Sequence, residues 1–315
     1  MNGESIEYMK TQLIKMLGRA KIMVIGDLIL DEYIWGDVER ISPEAPVPIV
    51  WANRHTHMLG GAANVANNIR SLGGRVCLVG VVGNDKNKDI LFWELEKRDI
   101  TCEGIVTSDE VERNTTVKTR VIARQQQLLR IDWEHTKPLP RAINVKMLEF
   151  INGNINNFDA IIIEDYGKGV INPEILEAVI PLARDCRKII TVDPKEDHFK
   201  YYHGVTSLTP NLRELENFHA TGNEIVRNLD LDSLLVTMGE KGMRLYEKNG
   251  KDTHIPTVAQ EVFDVSGAGD TVIAVFTLAL ACGATHLEAA RLANKAAGIV
   301  VGKVGTAVVT QKELE

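Results

Sequence analysis

Short apolar segments rich in Ile and Val alternate with helical patterns along most of the chain. The strand-like segments are Lys21–Leu30, Arg75–Val82, Phe158–Asp165, Lys188–Asp193 and Ser233–Met238. Between several of them lie helical patterns at Ala62–Leu72, Lys88–Lys97, Pro173–Cys186 and Asn211–His219. Continuous apolar strands are typical of parallel sheets that are covered on both faces. The alternation therefore predicts a layered α/β fold with a largely parallel central sheet, and we expect residues 1–315 to form a single domain.

Acidic residues stand at the ends of three of these strands, namely Asp27, Asp165 and Asp193. Ligands of open α/β sheets bind beyond the carboxyl ends of the strands. We therefore expect these three acids to lie near a ligand-binding crevice.

Two stretches interrupt the alternation. Residues 33–57 contain Pro43, Pro46 and Pro48, which exclude a helix. Residues 115–132 alternate apolar and polar side chains in two runs, as half-buried strands do. We interpret both stretches as a small β-lid inserted into the main domain, because such a lid can exclude water from a reacting centre.

Composition excludes several classes of protein. The net charge is -7 and the sequence has no long run of Lys and Arg, which argues against a nucleic-acid partner. The four cysteines lack the spacing of a metal site, so we expect reduced thiols in the cytoplasm. The first 19 residues lack a signal-peptide core, and the apolar run Val272–Cys282 is too short to span a bilayer. These features predict a cytoplasmic protein with no membrane partner.

The sharpest motif is Asp264–Thr271, which stands directly before the apolar helix. The small residues Gly267, Ala268 and Gly269 let the backbone approach a ligand closely. The first amides of a helix have no partner inside the helix and form a site for a phosphate or a developing anion. A carboxylate at Asp270 could accept the proton of an attacking hydroxyl, and this combination suits phosphoryl transfer.

Two other interpretations of this motif are available. Asp270 could serve only as a helix N-cap, which is a common use of Asp. A dinucleotide-binding loop is disfavoured because the third glycine of G-x-G-x-x-G is missing and the motif lies far from the first strand. The sequence also contains no G-x-x-x-x-G-K-[ST] loop.

Two segments together resemble a known family. Asp264–Thr271 resembles the C-terminal signature of the ribokinase-like (PfkB) carbohydrate kinases, and Gly60–Ala66 resembles their sugar-binding signature. Their order and separation also fit, and the resemblance extends from Lys21 onward. It implies a ribokinase-like α/β/α fold with a β-lid, and it implies ATP and Mg²⁺ as cofactors, with a monovalent cation as an optional third.

Further segments resemble the heptose-7-phosphate kinases within this family. They are Arg40–Pro48, Gln126–Leu128 with Arg130 and Asp132, Asp165–Gly169, Asp193–Lys195, Thr209–Glu214 and Val300–Thr306. The chain ends where the nucleotidyltransferase half of the bifunctional relatives would begin, so it resembles the stand-alone kinase form. The resemblance implies ATP-dependent phosphorylation of O1 of D-glycero-β-D-manno-heptose 7-phosphate, for ADP-heptose and lipopolysaccharide core synthesis. It also implies a homodimer formed through the β-lid.

The resemblance assigns residues to the nucleotide side of the site. Asn211 and Glu214 would place Mg²⁺, largely through water, although an N-cap Asn followed by a capping Glu is an ordinary helix start. The remaining candidates for contact with ATP, each of which could also be an ordinary surface or turn residue, are Lys195, Thr237, Gly239, Gly242 and Asn294.

Other residues are assigned to the sugar phosphate. The sugar would be held by Asp27, Asp31, Gly60, Gly61 and Asn64. Its phosphate needs cations, and the candidates, which could equally form surface ion pairs, are Arg40, Arg120, Arg124, Arg130 and Lys168. We interpret His55 and His57 as polar lid residues rather than ligands.

Two alternatives to a heptose-phosphate kinase stay open. One is a ribokinase-like kinase that acts on another sugar or sugar phosphate, because a single fold supports many chemistries. The other is a non-catalytic sugar-phosphate sensor, for which Asp270 and the Asn211–Glu214 pair would be unnecessary.

Overall fold

A computed structural model describes residues 11–109, 113–124, 126–259 and 261–315. Residues 1–10, part of the segment judged to lack a signal peptide, and residue 125 of the predicted lid lie outside this description. Among the described residues, no helix is both long enough and apolar enough to cross a membrane.

A nine-stranded sheet forms the centre of the described structure. In chain order its strands are β1 (Lys21–Gly26), β4 (Arg75–Gly83), β5 (Thr101–Ser108), β8 (Ala160–Glu164), β9 (Ile189–Asp193), β10 (Ser207–Leu208), β11 (Ser233–Thr237), β12 (Met243–Glu247) and β13 (Asp252–Ile255). Across the sheet the order is β13-β12-β11-β10-β9-β8-β1-β4-β5. The pairs from β5 to β11 are parallel, and β12 and β13 add an antiparallel edge. The predicted largely parallel sheet is confirmed.

Helices cover both faces of this sheet. They are α1 (Ala62–Ser71), α2 (Lys86–Glu96), α3 (Arg141–Asn154), α4 (Pro173–Asp185), α5 (Leu212–Asn217), α6 (Gly222–Asn228), α7 (Ala268–Ala281), α8 (His286–Val300) and α9 (Gln311–Leu314). Alternate residues of β1 point to opposite faces, as strand geometry requires. Ile22 and Val24 therefore pack in the core that contains α1, α7 and α8, whereas Met23 and Ile25 pack in the core that contains α3 and α4. The result is the predicted α/β/α layering.

A second, four-stranded sheet contains both segments that the sequence assigned to a lid. Its strands are β2 (Leu28–Ile41), β3 (Pro48–Gly61), β6 (Thr116–Ala123) and β7 (Gln126–Trp133), in the order β3-β2-β6-β7. Strand β2 is antiparallel to β3 and parallel to β6, and β6 is antiparallel to β7. We call this sheet the lid sheet.

The lid sheet begins earlier than the sequence indicated. The apolar run Lys21–Leu30 is two strands in two sheets, and the prediction of one continuous strand is wrong. Asp27 separates them, because its backbone N–H donates to the Glu164 carbonyl at 3.2 Å and its own carbonyl accepts from the Ala62 N–H at 3.0 Å. Apolarity continues through this break because both strands are buried there, so hydrophobicity alone did not reveal it.

The core predicts a specific loss of stability. Phe276 on α7 is fully buried in the core, and its replacement by Ala should lower the free energy of unfolding by about 3–5 kcal/mol, because a large cavity remains. Chemical denaturation measures this loss. Trp93→Ala on the exposed face of α2 is the matched control, with an expected loss below about 1 kcal/mol. Equal losses for the two variants would contradict the assignment of Phe276 to the core.

Candidate active site

Three acidic residues meet at one edge of the central sheet, where parallel strands end together. Gly26 of β1 pairs with Glu164 of β8, which in turn pairs with Asp193 of β9. Asp27 follows directly after β1. The crevice predicted beyond the carboxyl ends of these strands therefore contains a cluster of carboxylates, and the amino-terminal end of α7 reaches the same edge.

Asp270 lies in the first turn of α7 and is 2% exposed. Its Oδ2 accepts a hydrogen bond from Nδ2 of Asn64 at 2.6 Å, and its Oδ1 accepts one from the Tyr166 hydroxyl at 2.8 Å. The interpretation of Asp270 as an N-cap is wrong, because the N-cap is Gly267 and the Asp270 side chain points to other elements. The two sequence motifs therefore meet, with Asn64 and Asp270 in contact across 206 positions.

Burial raises the pKa of Asp270 to about 6, although the hydrogen bonds from Asn64 and Tyr166 oppose this rise. The nearby Asp31 raises the pKa further, and the Lys118 ammonium lowers it. A carboxylate with a pKa near 6 is still ionised at neutral pH and is a stronger base than an ordinary Asp. Asp270 is therefore able to take a proton from a hydroxyl group.

The backbone before Asp270 is shaped for close approach. Gly267 has φ 76°, and a Cβ at this position would lie 2.7 Å from Nδ2 of Asn64, so only glycine fits. The Ala268 N–H donates to the Val265 carbonyl at 3.2 Å and is therefore used within the turn. Among the described residues, the amides of Gly269 and Asp270 have no backbone acceptor. Of the three residues predicted to form an anion site, Gly269 thus offers its amide, and Asp270 adds a second.

Asp27 has a different environment from the one that the sequence suggested. Its carboxylate is 1% exposed and accepts hydrogen bonds from the backbone N–H groups of Tyr166, Lys168 and Val170, at 3.0, 3.0 and 3.2 Å. Burial raises the pKa of Asp27 to about 6 against the effect of these amides. Both oxygens accept hydrogen bonds from the loop after β8, so Asp27 positions that loop, and its assignment to the sugar stays a prediction.

Glu164 is the least compensated group in the site. It is fully buried, and neither carboxylate oxygen has a hydrogen-bond partner among the described residues. Oxygens of Glu164, Asp193 and Asp270 lie within 4.8 Å of one another. Burial and the neighbouring carboxylates hold the pKa values of Glu164 and Asp193 well above their ordinary values. Such a cluster is stabilised by shared protons or by a cation.

The donor set at this edge fits Mg²⁺, which prefers oxygen ligands and retains several waters. Glu214 lies close enough to Asp193 to raise the pKa of that residue, and burial raises the pKa of Glu214 itself. One oxygen of Glu214 accepts from the Asn211 N–H at 2.9 Å, and Asn211 Oδ1 accepts from the Glu214 N–H at 3.0 Å. The pair therefore forms a capping box at the start of α5, and the second Glu214 oxygen is left to face a cation.

The other residues assigned to the nucleotide lie near the end of β11 and on α8. Thr237 at the end of β11 bridges to Asn211, and Lys195 lowers the pKa of Glu214 through its charge. Gly239 and Gly242 both have positive φ and form the turn after β11. Asn294 on α8 donates its side-chain amide to the Pro256 carbonyl at 2.8 Å, next to the end of β13, and its assignment to ATP stays a prediction.

The residues that the sequence assigned to the sugar lie on the lid sheet and next to the start of α1. Arg120 on β6 forms an ion pair with Asp31 at 2.5 Å, and a Cβ at Gly60 would lie 2.6 Å from Asp31 Oδ2. Gly61 has φ 54° and precedes α1. Asp31 pairs with Lys118 in the sheet, so the two share a face, and both change the pKa of Asp270. Asp31, Lys118 and Asp270 therefore lie around one space.

Cationic side chains lie close together on the same face of the lid sheet as Asp31. Arg120 lies directly opposite Arg130 on β7, and the charges of Arg130 and Lys168 both lower the pKa of Lys118, after the effect of burial. Arg130 also pairs with Asp132 at 2.8 and 2.9 Å, and Lys168 pairs with Glu134 at 2.8 Å. We call Lys118, Arg120, Arg130 and Lys168 the cationic cluster.

Arg40 is not part of the cationic cluster. It lies near the exposed far end of β2, opposite Ile49, so its assignment to the substrate phosphate is not supported by its position. Arg124 has φ 47° and lies at the turn that follows β6. Both residues lie several positions along their strands from Asp31 and its sheet partner Lys118.

Sequence analysis missed three residues of the site, namely Glu164, Tyr166 and Lys118. For Lys118 a signal was present, because it stands two positions before Arg120 on a strand and must share its face. The contact of Tyr166 with Asp270 spans 104 positions and had no local signal. For Glu164 the strand end was read one residue too late, at Asp165.

Known proteins that resemble this chain in sequence or fold are carbohydrate kinases and related enzymes. The family model for pfkB family carbohydrate kinases matches residues 19–313. The bifunctional protein HldE of Geobacter metallireducens is 45% identical over 303 residues, which cover 93% of this chain and 61% of that protein. The chain thus spans about three fifths of the length of this curated relative.

Solved structures show the same fold at low identity. A ribokinase described as putative, from Agrobacterium tumefaciens, has a TM-score of 0.76 and 19% identity, with 94% of this chain and 96% of that chain covered. Escherichia coli phosphofructokinase-2, solved in complex with potassium, has a TM-score of 0.76 and 18% identity over 94% and 96% of the two chains. The fold is therefore ribokinase-like. Kinases of this family use ATP and Mg²⁺. With the family model matching nearly the whole chain, this protein belongs to the PfkB family of carbohydrate kinases and is a phosphotransferase with an alcohol group as acceptor.

Proposed function

We propose that this protein is an ATP-dependent kinase that phosphorylates O1 of D-glycero-β-D-manno-heptose 7-phosphate, in the cytoplasm. The observation that carries the proposal is the position of the Asp270 carboxylate, which has the amides of Gly269 and Asp270 on one side and the cationic cluster on the other. The arrangement suits a sugar that carries its own phosphate, because one anion site faces the reacting hydroxyl and a second faces the lid. The 45% identity to a protein named HldE supports the heptose substrate.

Each group of the site has its own role in the proposed reaction. Asp270 takes the proton of the sugar hydroxyl as its oxygen attacks the terminal phosphorus of ATP, and ADP leaves. The amides of Gly269 and Asp270 stabilise the charge on the transferring phosphoryl group. Tyr166 and Asn64 donate to Asp270 and hold its carboxylate in place. Bound Mg²⁺, held by Asp193, Glu214 and their waters, would neutralise phosphate charge, as this chemistry requires.

The cationic cluster is the proposed site for the 7-phosphate. Arg binds phosphate through two parallel hydrogen bonds, whereas Lys acts as a point charge. Arg120 is already oriented by Asp31, and Lys118 is partly buried beside it. An unphosphorylated sugar would make no use of these charges. Potassium in the phosphofructokinase-2 structure supports a monovalent cation as an additional cofactor.

The exposed apolar residues of the lid sheet support a homodimer formed through it. Large apolar side chains are solvent-exposed along β7 and near the turn between β2 and β3, and they are Ile41, Val47, Trp51, Leu128, Leu129, Ile131 and Trp133. All eight residues of β7 are exposed in the single chain. An exposed apolar edge strand is covered in most native proteins, and a second copy of the lid sheet would cover this one.

Removal of the proposed base should abolish most of the turnover. Asp270→Asn should lower kcat by about 10²–10⁴-fold while ATP still binds, because the base contributes to the transition state and not to nucleotide affinity. In the wild-type enzyme, kcat/KM should fall as the pH falls through about 6, because Asp270 must be deprotonated to act. A coupled ADP assay and calorimetric ATP titration measure both effects. Asp252→Asn, which changes an exposed ion pair, is the control and should keep the wild-type kcat. A wild-type kcat in Asp270→Asn would show that Asp270 is not the base.

The substrate is tested by identification of the product. Incubation with ATP, Mg²⁺ and the heptose 7-phosphate should give a 1,7-bisphosphate, identified by mass and by ³¹P NMR. Ribose, fructose 6-phosphate and unphosphorylated heptose should react with much lower kcat/KM, because they do not span Asp270 and the cationic cluster. Similar rates across this panel would favour a kinase of another specificity. Binding of sugar phosphate and ATP without formation of ADP would indicate a sensor.

The dimer is tested by sedimentation. The wild-type chain should sediment at twice 34.9 kDa, and Leu129→Glu on β7 should shift it towards the single-chain mass, because a charge would be buried at the interface. Val145→Glu on the exposed surface of α3 should leave the dimer intact. A wild-type protein that sediments as a single chain would refute the dimer and leave the kinase assignment untouched.

A further inference from the structure

Three metal-ligating side chains converge on the face of the lid sheet opposite the cationic cluster. They are Glu32 on β2 and His55 and His57 on β3. Glu32 follows Asp31 in the strand and therefore points to the other face. It lies directly opposite His57, and His55 is two positions further along the same strand. One ligand atom of each residue lies within 4.8 Å of the other two.

The distances match the spacing of ligands around a small dication. Nε2 of His55 lies 2.7 Å from Oε1 of Glu32, and Nε2 of His57 lies 3.7 Å from the same oxygen. Zinc bonds of about 2.0–2.1 Å at a tetrahedral angle place two ligand atoms about 3.3 Å apart. The two observed separations lie on either side of this value, so small side-chain rotations would bring the three atoms around one ion.

The carboxylate is oriented by a further residue. The Thr119 hydroxyl on β6 donates to Oε2 of Glu32, which leaves Oε1 to face the two imidazoles. Thr119 is 2% exposed and lies opposite Glu32 in the sheet. Hydrogen bonds of this kind fix the geometry of metal ligands. All four residues stand on paired strands, which hold them more precisely than a loop would.

The two imidazoles also lie against each other. The rings of His55 and His57 lie with centroids 4.5 Å apart, which disfavours two protonated imidazoles. A single His–Glu ion pair would not require the second histidine.

In place of the interpretation of His55 and His57 as polar lid residues, we propose that Glu32, His55 and His57 bind one first-row transition-metal dication, with Zn²⁺ as the expected ion and water in the fourth position. Imidazole selects such metals over Mg²⁺, which prefers oxygen ligands alone. The site lies where the lid sheet meets the body of the molecule, because Glu94 of α2 is close enough to raise the pKa of His57. A bound ion would therefore fix β2 and β3 at the base of the lid. This proposal is independent of the proposed substrate.

Metal titration of the chelator-treated full chain tests the proposal. Calorimetry with ZnCl₂ and elemental analysis after dialysis should show one Zn²⁺ per chain, unchanged by millimolar Mg²⁺. Co²⁺ at the site should give the visible absorption of a four-coordinate ion. His55→Gln, His57→Gln and Glu32→Gln should each weaken Zn²⁺ binding by more than 10-fold, and Thr119→Val by about 10-fold. His203→Gln, an exposed histidine outside the lid sheet, should bind as the wild type does.

Two results would overturn the proposal. One is a wild-type chain that binds less than one Zn²⁺ at micromolar concentration. The other is Zn²⁺ affinity, stoichiometry and Co²⁺ spectrum that are unchanged in all three ligand variants, since the ion would then be bound elsewhere. Circular dichroism of each metal-free variant confirms that it is folded, and the wild-type stoichiometry decides the question even if one variant is not. Thermal melting should show a higher Tm for the wild type with Zn²⁺ and no change for His57→Gln.

Discussion

Burial of several carboxylates at one edge of a parallel sheet is the constraint on which the site depends. An ionised carboxylate loses its hydration there and must be compensated by hydrogen bonds, by a cation or by a proton. Asp27 is compensated by three backbone amides of the loop after β8, and this contact fixes the loop. Asp270 is compensated by Asn64 and Tyr166. Glu164 lies beside Asp193, and the pKa values of both are raised, so a shared proton or a bound cation compensates this pair.

This compensation joins distant parts of the chain. The contact between Asn64 and Asp270 connects the start of α1 to the start of α7. The next residue of α7, Thr271, donates to Asn68, which lies one turn further along α1, at 3.0 Å. The two helices also share one side of the core. In the proposed reaction, a sugar at the start of α1 and a phosphoryl group at the start of α7 would therefore be held in fixed relation by the same interface that stabilises the fold. Alignment of this kind is the larger part of what phosphoryl transfer requires.

The local pattern of apolar and polar residues was sufficient to predict the sheet and helix layers, but not the contacts between them. Strands covered on both faces stand in the sequence as continuous apolar runs between helical patterns, so the central sheet and its helices could be predicted. The run Lys21–Leu30 was misjudged because its residues are apolar on both sides of Asp27, where the chain passes from one sheet to the other. The environment of Asp27 was not predicted for a related reason, since nothing in its neighbourhood shows that amides 139 or more positions away will surround it. Long-range hydrogen bonds of buried polar groups carry no local sequence signal.

Successive side chains of a strand point to opposite faces, and in the lid sheet the two faces carry different sets of residues. On β2, Asp31 faces the sugar side and Glu32 faces away, and on β6 the same is true of Arg120 and Thr119. One face thus gathers cations around the space beside Asp270, and the other gathers two imidazoles and a carboxylate. A shift of the register by one residue would exchange the two faces, so the pairing that buries Tyr33 on the sugar side also determines both sites. Because the strands are continuous through both sets of residues, fixing Glu32 and His57 on one face also restrains Asp31 and its partners on the other.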